Sequence, residues 1–220
     1  KALGMELTPA LEAQALRAMA MAFAFESNCK GAIPYEQRLY ERYLTKDKDF
    51  YQAGEIANEL ARVCLESGDF ATAEAWYKRG YEAGLKEPNI SAARKDLWEF
   101  RWQHAQARLA ARRGDKALAA KHVAAAKAAL DTGTNADQAP FFPYLVGYVA
   151  FYSGDYKTAL AEFAKGNQND PFVLSLIAQS HEKLGDQAAA MDAYRKVMTF
   201  TTHNPNNAFA RPLARKKLGL

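Results

Sequence analysis

The dipeptide Gly-Asp occurs four times in this chain, at Gly68-Asp69, Gly114-Asp115, Gly154-Asp155 and Gly185-Asp186, and its surroundings repeat with it. Five residues after each glycine stands an alanine: Ala73, Ala119, Ala159 and Ala190. Nine residues after it comes a space-filling side chain: Tyr77, Val123, Phe163 or Tyr194. Seven residues before it lies another small residue, Ala61, Ala107, Gly147 or Ala178. Spacings of three and four put Tyr156, Ala159, Leu160 and Phe163 on one helical face. Two helix backbones approach closely only across small side chains, so each turn is expected to join two helices that touch at the paired small positions. A helical hairpin of this kind leaves one face uncovered, and repetition of the pattern predicts stacking.

The fullest copy, Gly154–Pro171, also has Gly166 for a second close approach and Pro171 to open the next helix. This stretch resembles the second half of a tetratricopeptide repeat, and the four cycles extend the resemblance along most of the chain. It implies an all-α fold: a right-handed α-solenoid of antiparallel helix pairs, the tetratricopeptide superhelix. Residues 50–200 then hold about four helix pairs, with 1–49 as degenerate N-terminal capping helices and 201–220 as a C-terminal capping helix. The turn glycines draw closer together along the chain, so the first two cycles should have lengthened helices or loops. Pro143–Leu218 in particular looks similar to bacterial tetratricopeptide proteins. The family resemblance implies protein or peptide partners and no enzymatic activity.

Composition agrees. The 220 residues are 49% hydrophobic, enough to bury a continuous core. The Ala117–Ala129 run and the lack of alternating strand patterns favour helix throughout. The net charge of +4 is spread along the chain, which argues against nucleic acid as a partner. No apolar stretch approaches the roughly 20 residues that span a bilayer. Leu16–Phe25 comes nearest, but Arg17 interrupts it, and it reads as a buried helix. The chain starts with Lys1 rather than Met, which fits a cleaved export signal or an arbitrary boundary; a periplasmic or extracellular location is favoured slightly over a cytoplasmic one. The two cysteines, Cys29 and Cys64, permit one bridge or stand as two thiols.

In chain order, Thr8 and Pro9 open a helix that should run to about Ser27, Thr8 as its cap. A loop bounded by Gly31 and Pro34 should precede a short helix over 34–44, whose Tyr35, Leu39, Tyr40 and Tyr43 give an aromatic face. Helices are expected from about 50 to 67, from 70 to 84, from 92 to 113 and from 117 to 130, with 131–139 the longest flexible segment. Two compact hairpins follow to about Phe200, then a polar loop over 201–207 and a basic helix over 208–218 with Pro212 in its first turn.

Sites of chemistry are scarce. His104, His122, His181 and His203 are far apart, and none has a neighbouring Cys or His at ligand spacing, so no metal or cofactor is expected. No phosphate-cradling glycine loop or nucleophile turn is present. An enzyme would need a site assembled from distant residues. In the resembled family the first helix of each pair lines a concave groove. Carried onto this sequence, that role falls to Arg101, His104, Arg108 and Arg112 in one cycle, and to Tyr144, Tyr148 and Tyr152, with Phe141 and Phe151, in the next. Arginine offers forked, charge-assisted bonds and the rings offer area with a polar tip, which suits a carboxylate beside an apolar group. Alternatively, the arginines are a solvated face and the rings close the gap between hairpins. Asn58 and Arg62 stand where a chaperone-tail clamp would have Lys and Asn, a departure from that branch of the family.

Two binding readings follow. The N-terminal pair is apolar and aromatic (Met19, Met21, Phe23, Phe25, Tyr40, Tyr43), whereas the C-terminal helix is basic. Unlike ends can join head to tail into a filament or tube, making the chain a self-assembling scaffold. The alternative is an adaptor that holds an acidic and aromatic peptide in the groove.

Overall fold

Each Gly-Asp pair is one device that ends a helix and starts the next. In the computed structural model, which describes residues 8–220, the four glycines have φ between +79° and +87°. Only glycine adopts this left-handed conformation without strain. The Gly68 amide donates to the Leu65 carbonyl and the Asp69 amide to that of Cys64, at 3.1 and 2.9 Å. The bonds close a Schellman cap. The carboxylate of the same aspartate then accepts from the amide three residues on: Thr72, Leu118, Thr158 and Ala189 in turn, at 2.9–3.1 Å. Two residues thus satisfy the ends of two antiparallel helices, which is why the pair recurs intact.

All regular structure among the described residues is helical. The elements are α1 (Pro9–Phe25), α2 (Cys29–Arg42), α3 (Phe50–Glu66), α4 (Phe70–Gly84), α5 (Ala92–Arg112) and α6 (Lys116–Asp131), followed by α7 (Phe142–Tyr152), α8 (Tyr156–Phe163), α9 (Pro171–Lys183), α10 (Gln187–Met198) and α11 (Pro205–Leu218). The pairs α3–α4, α5–α6, α7–α8 and α9–α10 are the four hairpins. Ala61, Ala107 and Ala178, on the helices before the turns, and Ala73, Ala119, Ala159 and Ala190, after them, are wholly buried. The fold class is that of an all-α helical solenoid.

The chain forms two compact units. One runs to Ile90 and includes His203–Ala208; the other comprises Ser91–Thr202 and Phe209–Leu220. In the first, α1 packs on α2, α2 on α3 and α3 on α4. Leu16, Leu39 and Ile56 meet where α1, α2 and α3 come together. A disulfide between the buried Cys29 and Cys64 ties α2 to α3, with Cα atoms 4.7 Å apart. In the second, α5 packs on α7 and α8 on α9, so successive hairpins share an interior. One of its clusters joins Tyr148, Phe151, Ala159, Phe163, Phe172, Val173 and Leu176.

Several local expectations need correcting. Helix α2 begins at Cys29 rather than Pro34, because the Asn28 side chain accepts from the Gly31 amide and starts the helix early. Cys29 is therefore helical and buried, and Pro34 lies inside the helix. Helix α11 begins at Pro205 rather than at 208: the Asn204 side chain accepts from the Asn207 amide, which leaves Pro212 in the helix interior. Residues 131–139 are tethered rather than free: Thr134 Oγ1 donates to Asp96 at 2.8 Å and Asn135 Nδ2 to the Ala93 carbonyl at 2.7 Å. Helix α1 is buried on one side only, through Leu16, Ala20, Met21 and Ala24.

Candidate functional site

Helices α5 and α7 lie side by side in the second unit and bring most of the sequence-selected residues together. The His104 ring stacks on Tyr144, with centroids 5.7 Å apart, and meets Phe100 edge-on. From Tyr144 the aromatic row continues to Tyr148 at 5.9 Å and on to Tyr152, 4.6 Å further. These residues follow one another at i, i+4 on α7, so each ring lies one turn above the last. Tyr144 also meets Phe172 of α9, which is packed edge-on against Phe209 of α11.

The arginines divide. Arg112 lies with its guanidinium carbon 4.9 Å from the centre of the Tyr152 ring and donates to the Tyr148 hydroxyl at 3.4 Å. Arg101 sits over Trp98 of its own helix, 5.0 Å from the ring centre. Each is half-buried, in the position of a cation held over an aromatic face. Arg108, by contrast, is interior, only 7% exposed, and Tyr148 is wholly buried in the hairpin-to-hairpin core. Both residues sit in the packed layer, and the half-buried surface is Arg101, His104, Arg112, Tyr144 and Tyr152. Counting back from the turn glycine does not register burial, which at Arg108 and Tyr148 is set by the neighbouring helices.

The histidines other than His104 take separate partners. His122 Nδ1 lies 2.6 Å from Gln103 Oε1, and burial, aided by Lys121, pushes its pKa down. His181 faces Asp186 at 3.5 Å, and His203 stacks on Phe25. Among the described residues no three Cys, His, Asp or Glu side chains gather as a metal site would require, and no helix is long and apolar enough to cross a membrane.

One titratable cluster escaped the sequence reading. Glu36 of α2 is fully buried, 0% exposed, and both of its carboxyl oxygens lie out of reach of solvent. Its charged neighbours are Glu59 of α3 and Arg17 of α1. Arg17 is already committed to Glu59, its Nη2 2.5 Å from Oε2 and its Nε 3.3 Å from Oε1. Burial, and then the Glu59 charge, push the Glu36 carboxyl well above the usual carboxylate range, against a smaller pull from Arg17. The signal was present: Cys29, Ala32, Glu36 and Leu39 form the buried stripe of α2 at helical spacing. Starting the helix at Pro34 concealed it.

Comparison with known families accords with this geometry. The family model of the tetratricopeptide repeat matches residues 173–201, which cover α9 after its first two residues, the Gly185-Asp186 turn and α10. No curated protein matches the chain. The other three hairpins share the Gly-Asp turn and buried small residues of the matched one, and the chain carries a match to the tetratricopeptide repeat over residues 173–201.

Proposed function

We propose that the chain is a non-enzymatic scaffold for protein–protein contacts, and that its α5–α7 face holds a peptide combining an acidic residue with an aromatic one. A tetratricopeptide repeat by itself suggests such a scaffold. The observation that carries the finer reading is Arg112, held over the Tyr152 ring at the edge of the row formed by Tyr144 and His104. A carboxylate meeting Arg112 would gain a charge-assisted bond, and an aromatic neighbour would find a ring surface already in place. Fluorescence anisotropy with synthetic acidic–aromatic peptides, and basic–aromatic controls, tests this. Arg112→Glu should weaken binding at least about tenfold, roughly 1.4 kcal/mol, while leaving the helical circular dichroism unchanged. Equal affinity in the variant, or no binding across the panel, rejects the reading.

A second reading, head-to-tail self-assembly into a filament or tube, is favoured by exposed apolar side chains. Leu11 and Met19 on α1 are 51% and 39% exposed, and Leu220, beyond the basic helix α11, is 70% exposed. Light scattering across a concentration series decides it; a monomer at every concentration sinks it.

A further inference from the structure

Within the first unit, three polar side chains cap the apolar junction of three helices, one from each. Arg17 follows Leu16 on α1, Glu36 lies one turn from Leu39 on α2, and Glu59 lies one turn from Ile56 on α3. The charge balance decides the state of Glu36. Arg17 and Glu59 neutralise one another through a two-pronged contact at the rim, so an ionised Glu36 would put an uncompensated negative charge on a wholly buried side chain. Its two oxygens have no compensating donor in reach, and Glu59 confronts it with a like charge. Protonated, Glu36 is neutral and a hydrogen-bond donor, which suits a site facing a carboxylate. Tyr43, in the π-helical turn Tyr43–Asp47 that follows α2, also acts on Arg17.

We propose that Glu36 is the proton-binding centre of a pH-sensitive latch that holds α1 against α2 and α3. With its proton, Glu36 completes the trio and α1 stays seated. When the proton leaves, two carboxylates compete for one guanidinium, and the contact that anchors α1 loses its balance. The weakness falls on α1 because α2 and α3 are cross-linked through Cys29–Cys64, whereas beyond the short Glu26–Asn28 turn α1 is held to α2 by non-covalent contacts, among them Glu12 with Arg38 and Arg42 and the Phe23 ring on Tyr35. The sign follows from linkage. A carboxyl whose folded-state pKa is raised favours the folded state below its unfolded value, near 4.3 for Glu. That advantage is lost as pH rises through the raised folded value. The latch is therefore closed in acid and loosens as pH increases.

The latch is tested by hydrogen exchange of α1 amides, corrected for the intrinsic pH dependence of exchange, in the wild-type chain and in Glu36→Gln. Glutamine keeps the size and a donor but cannot ionise. Protection of α1 should fall at least about tenfold across the titration of Glu36 in the wild type and stay level in the variant, the two agreeing at the acid end. Parallel wild-type and variant profiles overturn the proposal. Independently of how the variant folds, the carboxyl carbon of Glu36, followed by NMR in glutamate-labelled wild-type protein, should titrate above the ordinary carboxylate range. Titration within that range also overturns it. Glu59→Gln supplies a third reading: with its rival gone, Glu36 takes Arg17 as partner and its titration should move down. An unmoved titration shows that Glu59 does not set the latch.

Discussion

Substituting Gly147 by alanine reverses the usual rule for glycine in a helix, and the structure gives the reason. In an open helix Gly→Ala stabilises by about 1 kcal/mol through backbone entropy. Here a Cβ on Gly147 would lie 2.6 Å from both Cδ1 and Cε1 of Phe163, the residue of α8 that fills the space behind the turn. Carbon atoms settle at about 3.5–4.0 Å, so the ring would have to retreat by about 1 Å. It has no room to do so, being wholly buried among Tyr148, Phe151, Ala159, Phe172, Val173 and Leu176. Overpacking of this kind costs about 1–3 kcal/mol. Set against the propensity gain, Gly147→Ala should destabilise the second unit by about 1 kcal/mol. Urea-dependent hydrogen exchange of α7 and α8 peptides reads the opening free energy of this unit without relying on one transition for the whole chain. Phe163→Leu supplies the counterpart: with the ring gone, adding Gly147→Ala should cost nothing or stabilise. The coupling in the double-mutant cycle is then favourable. A Gly147→Ala chain more stable than wild type, or a cycle with no coupling, would refute the claim that Gly147 is small because α8 lies against it.

Loss of the Cys29–Cys64 bridge should destabilise the first unit. Closing a 35-residue separation corresponds to about 4 kcal/mol on the chain-entropy account, and Cys29→Ser with Cys64→Ser should lower the urea midpoint of α2–α3 exchange; an unchanged midpoint contradicts it. At the third turn, bonds from the Thr158 side chain and amide hold the Asp155 carboxyl below its usual range. Its support for α8 is therefore present at neutral pH and lost as pH falls through that depressed value. Asp155→Asn should flatten the acid limb of α8 protection, and an identical limb in the variant excludes the cap as its cause.

How far the sequence could be read depended on whether the cause was local. The four turns, and the burial of every alanine after them, follow from residues within about ten positions of each glycine. Caps built from the same chemistry at Asn28 and Asn204 are masked in the sequence, the first by the nearby Pro34, which reads as a loop boundary, the second by the polar run 201–207, which reads as a loop. Those two misplacements hid Cys29 and Glu36 on one stripe of α2 and left the start of α11 short. The arginine and tyrosine series lies on α5 and α7, where Arg101, His104, Arg112, Tyr144 and Tyr152 stay half-buried. Arg108 and Tyr148 point inward, and periodicity within one helix carries no information on which flank its neighbour will cover.

The sequence by itself therefore determined the all-α class, the hairpin turns and the small positions where helices cross, because each is set by backbone geometry over short spans. Only the tertiary structure decided that the buried Glu36 neighbours Glu59 and Arg17, that Cys29 meets Cys64, and which groove residues remain half-open. Those facts depend on how helices from separate hairpins rotate against each other. That rotation is fixed by the summed packing of many side chains far apart along the chain, not by any one motif.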